Sequence, residues 1–271
     1  MIQFKKNNLT VYQSSLWKTT SNVFEADDFI LITDPTWLPH EINEIKSYVE
    51  QIRDEKELYL LFTHGDFDHI IGYGAFPDAK VIGSIGMLDH PNKQYKLDLI
   101  NHFDSEYYID RPYPIEFPNI DIVIKEDGQQ LKIGQTLITF YLSPGHTHDG
   151  LFAIIEPQGI WITGDYLSDF ELPYLFDSAN AYINTLFKAE KILKDHFISV
   201  LVPGHGHSTE NRDEINRRIE LARKYISRLI ESVKNSDNQS IDQLGKEMSY
   251  QSRFTKECHE KNIEIIQNES V

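Results

Sequence analysis

Apolar and polar positions change rhythm several times along this chain. In the first third, short apolar runs between polar breaks predict strands at 9–14 (LTVYQS), 21–26 (SNVFEA) and 29–34 (FILITD). From Pro39 to Arg53, Ile42, Ile45, Val49 and Ile52 recur near helical spacing and predict a helix. The run ELYLLFTH (57–64) is apolar without alternation, as in a strand covered on both faces, and it ends in residues that can carry chemistry from a loop. AKVIGS (79–84) predicts another strand. Residues 88–118 lose any period and read as a helix and an excursion from the core. Strands resume at 120–126, 130–134, 136–144, 151–157 and 159–165. Residues 179–195 are helical, and 198–206 form a strand running into a loop. Between Asn211 and Asn235, Ile215, Ile219, Leu221, Tyr225, Ile226 and Leu229 mark one amphipathic helix, and the polar tail 236–271 predicts one or two more. No Gly/Ser/Pro-rich linker divides the chain. The expectation is one domain over 1–271, with a core of about 9–210 and a helical C-terminal extension of about 211–271.

Composition removes several classes. With 40% hydrophobic and 25% charged residues among 271, the chain is ordinary for a globular protein. Its one cysteine, Cys258, excludes an internal disulfide and any thiolate metal cluster. A net charge of −16 repels phosphate backbones, so no nucleic-acid partner is expected. The start MIQFKKNNLTVYQ has no apolar stretch of signal-peptide length, and no run is long enough to span a bilayer. A cytoplasmic protein with a small-molecule substrate and no membrane partner is expected.

The candidate chemistry lies in the histidines. Of 11, six fall in three pairs, His64 and His69, His146 and His148, His205 and His207, each in a loop just after a strand. Asp66 and Asp68 interleave the first pair, and Asp165 ends the strand GIWITGD. Imidazole and carboxylate donors suit zinc, iron or manganese. Singly, these pieces are ordinary polar turns, because Gly and Asp are common turn residues. Jointly, after strands and in this order, they form a convergent ligand set.

The order HGDFDH (64–69), SPGHTHDG (143–150), ITGD (162–165) and VPGHG (202–206) resembles the signature of the metallo-β-lactamase-fold superfamily, H-x-H-x-D-H followed by His, Asp and His. The opening SNVFEADDFILITDPTW is similar too, with Asp34 at the family's usual Asp position; the resemblance covers roughly 9–210. It implies an α/β fold, an αβ/βα four-layer sandwich with C-terminal helices, with metals at one edge between two sheets. It assigns His64 and His146 to a first metal, Asp68, His69 and His205 to a second, and Asp165 to the bridge between them. It implies a hydrolase whose metal-bound hydroxide attacks a small ester, lactone, amide or phosphoester. Asp68 and Asp165 are then the catalytic carboxylates, Asp68 also orienting the nucleophile. His148, His207, Tyr166 and Tyr174 are placed beside the ligands, in the pocket or supporting it.

Asp66 departs from the signature, which has His there. Either the first metal is lost, or Asp66 coordinates and changes the site. An added carboxylate lowers the net charge by one, weakens Lewis acidity and favours harder ions. The expected cofactor is two divalent ions, zinc first, with iron or manganese as alternatives because of Asp66. DPTW (34–37) is a second departure and predicts a changed loop shape. Two aromatic segments are candidate pocket walls or a homodimer interface: Tyr107, Tyr108, Tyr113 and Phe117, and Tyr166, Phe170, Tyr174 and Phe176. No cluster of bases adjoins the motifs, so a neutral or cationic substrate is expected. Two alternatives to the hydrolase stand. One is a diiron protein of oxygen chemistry, since flavodiiron proteins carry Glu at the position of Asp66. The other is a non-catalytic metal-binding sensor or scaffold.

Overall fold

Alternation of inward and outward side chains builds two sheets that share one core. The computed structural model describes residues 1–269. In the first sheet the strands follow chain order: β1 (Ile2–Lys6), β2 (Leu9–Gln13), β3 (Thr20–Glu25), β4 (Phe29–Thr33), β5 (Glu57–Leu61), β6 (Lys80–Ser84) and β7 (Ile122–Ile124). β1 to β4 pair antiparallel; β4 to β7 pair parallel, with α1 (Pro39–Arg53) as the first crossover. Short α2 (Phe67–Ile70) and α3 (Ile85–Leu88) and the longer α4 (Lys93–Tyr107) fill the later crossovers. The second sheet runs β12 (Val200–Val202), β11 (Ile160–Ile162), β10 (Leu151–Glu156), β9 (Thr136–Leu142), β8 (Gln129–Ile133), antiparallel except for β11 with β12. α5 (Ala179–Asp195), α6 (Arg212–Lys234), α7 (Asn238–Lys246) and α8 (Arg253–Glu269) cover its outer face.

Three apolar layers follow. Phe29, Leu31 and Leu61 face Ile138, Phe140 and Ala153 between the sheets. Ile30, Ile32 and Leu60 face α1 through Ile42, Ile45 and Val49. Phe152, Ile154 and Trp161 face Leu186, Ile219 and Ile226 of the other helical layer. Helices, sheet, sheet and helices make the four-layer α/β sandwich, completed by C-terminal helices. The β5 run is buried from Leu58 to Leu61 because it is covered on both faces.

The structure departs from the sequence expectations in two places. β1 is a strand ahead of residue 9. Among the described residues it is an edge strand paired only with β2, and its exposed Lys5 and Lys6 masked its alternation while guarding the edge. Leu221 is exposed although counted in the α6 stripe. Two residues beyond Ile219 at 100° each, it points to the opposite side of the helix.

Candidate metal centre

β5 ends at Leu61, and Phe62, Thr63, His64, Gly65 and Asp66 lead into α2, which carries Asp68 and His69. Asp34, just past β4, fixes this turn. Its Oδ1 accepts from the Thr63 amide at 2.9 Å, and its Oδ2 accepts from Thr63 Oγ1 at 2.6 Å and His69 Nδ1 at 3.0 Å. Having given its proton to Asp34, the Thr63 hydroxyl accepts from His64 Nδ1 at 3.0 Å. The other histidines are oriented the same way. His146 Nδ1 donates to the Tyr174 carbonyl at 2.8 Å, and His205 Nδ1 donates to the Trp17 carbonyl at 2.8 Å. Each ring therefore keeps a proton on Nδ1 and turns Nε2 to the centre, the arrangement that holds metal-binding imidazoles. DPTW joins this scaffold, with Thr36 Oγ1 donating to the Asp68 carbonyl and Trp37 Nε1 to Thr19 Oγ1.

The signature glycines have steric reasons. Gly145 lies at φ +125°, and a Cβ there would meet the Tyr182 amide nitrogen of α5 at 2.3 Å. A Cβ on Gly204 would meet Asp165 Oδ1 at 2.4 Å.

The seven predicted ligands converge. Asp165 Oδ2 lies 3.7 Å from His64 Nε2, 3.2 Å from His146 Nε2 and 3.3 Å from His205 Nε2, and its Oδ1 lies 3.0 Å from His69 Nε2. Asp66 Oδ2 lies 3.8 Å from His64 Nε2 and 3.6 Å from His146 Nε2. Asp68 Oδ2 lies 3.6 Å from His69 Nε2 and 3.4 Å from His205 Nε2. Two groups result, His64–Asp66–His146 and Asp68–His69–His205, with Asp165 between them. Among the described residues, Nε2 of His64, His69 and His146, and Asp165 Oδ1, are buried without a hydrogen-bond partner. Buried polar atoms rarely go unpaired, so four at one point suit cations as their partners.

In the ion-free protein, protons take the place of cations. Burial opposes charging of His146, but the facing carboxylates of Asp165 and Asp66 outweigh it and lift the ring to about 10. His69 and His205 are raised well above the usual range against the same burial, chiefly by the Asp165 charge. Burial, then the charge on His69, lowers His64. Asp165 stays well below the usual carboxylate range against burial, held by His205 and His69. Cation binding at such a site releases protons.

The residues expected beside the ligands divide. Tyr166 is buried behind His146: its hydroxyl donates to the Pro144 carbonyl at 2.8 Å and accepts from the His146 amide at 3.2 Å. Tyr174 gives His146 its carbonyl and turns its ring toward Phe254, with centroids 5.9 Å apart. His207 is exposed and bonds Asp169 through Nδ1 at 2.8 Å, away from the ligands. His148 is exposed beside His90, with which it forms a further group including Asp149. There His90 Nδ1 accepts from the Asn92 amide at 3.1 Å, a pattern unlike that of the four converging rings.

Of the two aromatic segments, residues 170–174 border the centre. A cavity of about 310 Å³ is lined by Trp17, Lys18, Glu171, Tyr174, Tyr250 and Phe254. Glu171 and Tyr174 also line an adjoining cavity of about 260 Å³ that reaches His146 and Asp165. Burial, partly opposed by His205, pushes the Glu171 carboxyl up to about 7. Tyr107 and Tyr108 of the other segment are exposed.

Sequence reasoning missed two contributors. One is Lys96 on α4, a single base whose Nζ lies 2.5 Å from Asp66 Oδ1. The other is Asn262 on α8. It accepts from the Leu175 amide at 2.7 Å and donates to the Pro173 carbonyl at 2.8 Å and Tyr225 Oη at 3.0 Å. It thereby pins the segment whose Tyr174 carbonyl orients His146. A polar residue within the buried stripe Cys258, Asn262, Ile265, Ile266 was the available signal.

A family model described as the metallo-beta-lactamase superfamily matches residues 16–221. Among curated proteins no sequence matches the chain. Similar solved structures include a double mutant of the sec-alkyl sulfatase PisA1. It has a TM-score of 0.71 at 12% identity over 99% of this chain, which spans 50% of that one. A metallo-beta-lactamase family protein from Thermus thermophilus has a TM-score of 0.67 at 14% identity, over 97% of this chain and 94% of that one. A metallo-beta-lactamase from Pontibacter korlensis has a TM-score of 0.58 at 14% identity, over 82% and 98%. At such identities the likeness is one of fold.

Proposed function

This chain belongs to the metallo-β-lactamase superfamily, and from that premise we propose that it is a dinuclear metal-dependent hydrolase of a small ester, lactone, amide or phosphoester. The observation that carries the reading is the set of buried, unpartnered Nε2 atoms gathered around Asp165. Two divalent ions would be held by His64, Asp66 and His146 and by Asp68, His69 and His205, with Asp165 shared. Such ions supply Lewis acidity and lower the pKa of a coordinated water. The chain orients each imidazole from behind through Asp34, Thr63, Trp17 and Tyr174, so the donor set needs little reorganisation. Glu171 sits in the wall between both cavities, where a carboxyl held near 7 can take up or release a proton during turnover. The aromatic cavity beside it supports a substrate with an apolar or aromatic part, excluded from water against Trp17 and Phe254. Asp66 favours one second reading, a diiron centre of oxygen chemistry, because carboxylates suit harder ions.

The test is element-resolved analysis of untagged protein purified without added metal, followed by turnover on esters, lactones, amides and phosphoesters. About two zinc or manganese ions per chain with hydrolysis is the expected result. Two irons with oxygen consumption would favour the diiron reading. No ion after reconstitution with zinc, manganese and iron would overturn both.

A further inference from the structure

Asp66 divides its two oxygens. Oδ2 faces the imidazoles of His64 and His146, while Oδ1 accepts from Lys96 Nζ. The lysine comes from the first turn of α4, 30 residues away, and its side chain is 16% exposed against 12% for Asp66. An exposed pair of this kind has little effect, but a desolvated one strongly alters its surroundings.

We propose that Lys96 is the counter-charge that allows a carboxylate to stand where the superfamily signature has His. Toward a cation, the Asp66–Lys96 pair acts as one ligand of no net charge, as an imidazole would. The inference rests on the dinuclear metal reading but not on any substrate.

The charges make the case. Two divalent ions bring four positive charges, and Asp68 and Asp165 remove two. Asp66 alone removes a third and leaves the site one charge poorer than a His site. Lys96 restores that charge. The site is therefore not the carboxylate-enriched one that the motif implies, and its preference moves back from harder ions toward those that imidazole-rich sites hold. Lys96 also holds Oδ1 away from the cation position, so Asp66 presents one oxygen, as a histidine presents one nitrogen.

The pair can be exchanged. The experiment compares wild type, Lys96→Met, Asp66→His, the double variant and Lys96→Arg. It reads zinc and manganese stoichiometry and affinity by chelator competition, with circular dichroism of each ion-free form as the folding control. Lys96→Met leaves Asp66 uncompensated and is expected to bind the weaker-held ion about tenfold tighter, with the larger gain for manganese. Asp66→His strands the Lys96 charge beside an imidazole and is expected to weaken that ion about tenfold or more. The double variant should return to near wild type, and Lys96→Arg should stay there. Wild type holding two ions, with Lys96→Met unchanged for both metals, would overturn this inference alone. So would an Asp66→His defect that Lys96→Met does not rescue. A wild type that holds no ion would overturn the metal reading, and this inference with it. If Lys96→Met fails to fold, the comparison of Asp66→His with wild type and Lys96→Arg still decides, because equal affinity in Asp66→His would overturn the proposal.

Discussion

The two halves of the centre are held in different ways. His64, Asp66, Asp68 and His69 come from one turn, and a single neighbouring carboxylate, Asp34, orders that turn through Thr63 and His69. His146, Asp165 and His205 come from three loops of the second sheet. The orienting carbonyls of His146 and His205 belong to Tyr174 and Trp17, remote in sequence, and Tyr174 lies in a segment pinned by Asn262 of α8. One half is ordered by a carboxylate at the end of the neighbouring strand β4. In the other, His205 depends on the loop before β3 and His146 on a segment that α8 pins. The difference teaches that a distant helix can set a ligand's orientation without touching the centre.

The largest effect comes where the halves meet. Asp165→Ala removes the carboxylate shared by both ligand groups and should lower activity about a thousandfold or more while the chain stays folded. Full turnover in that variant would remove the site assignment. Asp34→Ala strikes the local half. It frees the Thr63 amide and the rings of His64 and His69, one in each ligand group, so both ions should weaken about 10- to 100-fold in a chelator titration. Asn262→Leu strikes the remote half. It leaves the Leu175 amide and Pro173 carbonyl unpaired in a buried place, and should cost about 3 kcal/mol in denaturant unfolding. It should weaken the ion nearer His146 about tenfold and spare the Asp68–His69–His205 position. Equal loss at both positions would erase the distinction between the halves.

Smaller effects sharpen the picture. Phe254→Ala opens the aromatic cavity and should raise KM for aromatic or long-chain substrates severalfold to about tenfold, leaving small ones unchanged. The last is a pH dependence of the ion-free protein. In the folded state His146 is raised from 6.5 to about 10, because Asp165 and Asp66 outweigh burial. A raised base contributes stability that is fully present below 6.5 and lost as pH climbs through about 10. Melting of the ion-free protein should fall across that window, and ion-loaded protein should not show this fall, since cations replace the protons.

The legible part of the molecule was what short-range pattern encodes. Helical spacing predicted α1, and an unbroken apolar run predicted the buried β5. The histidine pairs were visible as clusters in strand-end loops, but only His64, His69, His146 and His205 of them reach the centre. β1 was missed because an edge strand of five residues carries too few covered positions to show its period.

The sequence by itself determined the superfamily, the four layers and the seven residues that converge on one centre. Local spacing and strand-end loops mark those groups in the sequence. Only the tertiary structure decided that Lys96 reaches Asp66, that Asn262 braces the backbone behind His146, and that Trp17 meets Phe254 beside the centre. These contacts join residues from 30 to more than 200 positions apart. No period or spacing marks such a pair before the sheets and helices pack, because the energy that selects it is desolvation and packing in the assembled core rather than any preference of the local chain.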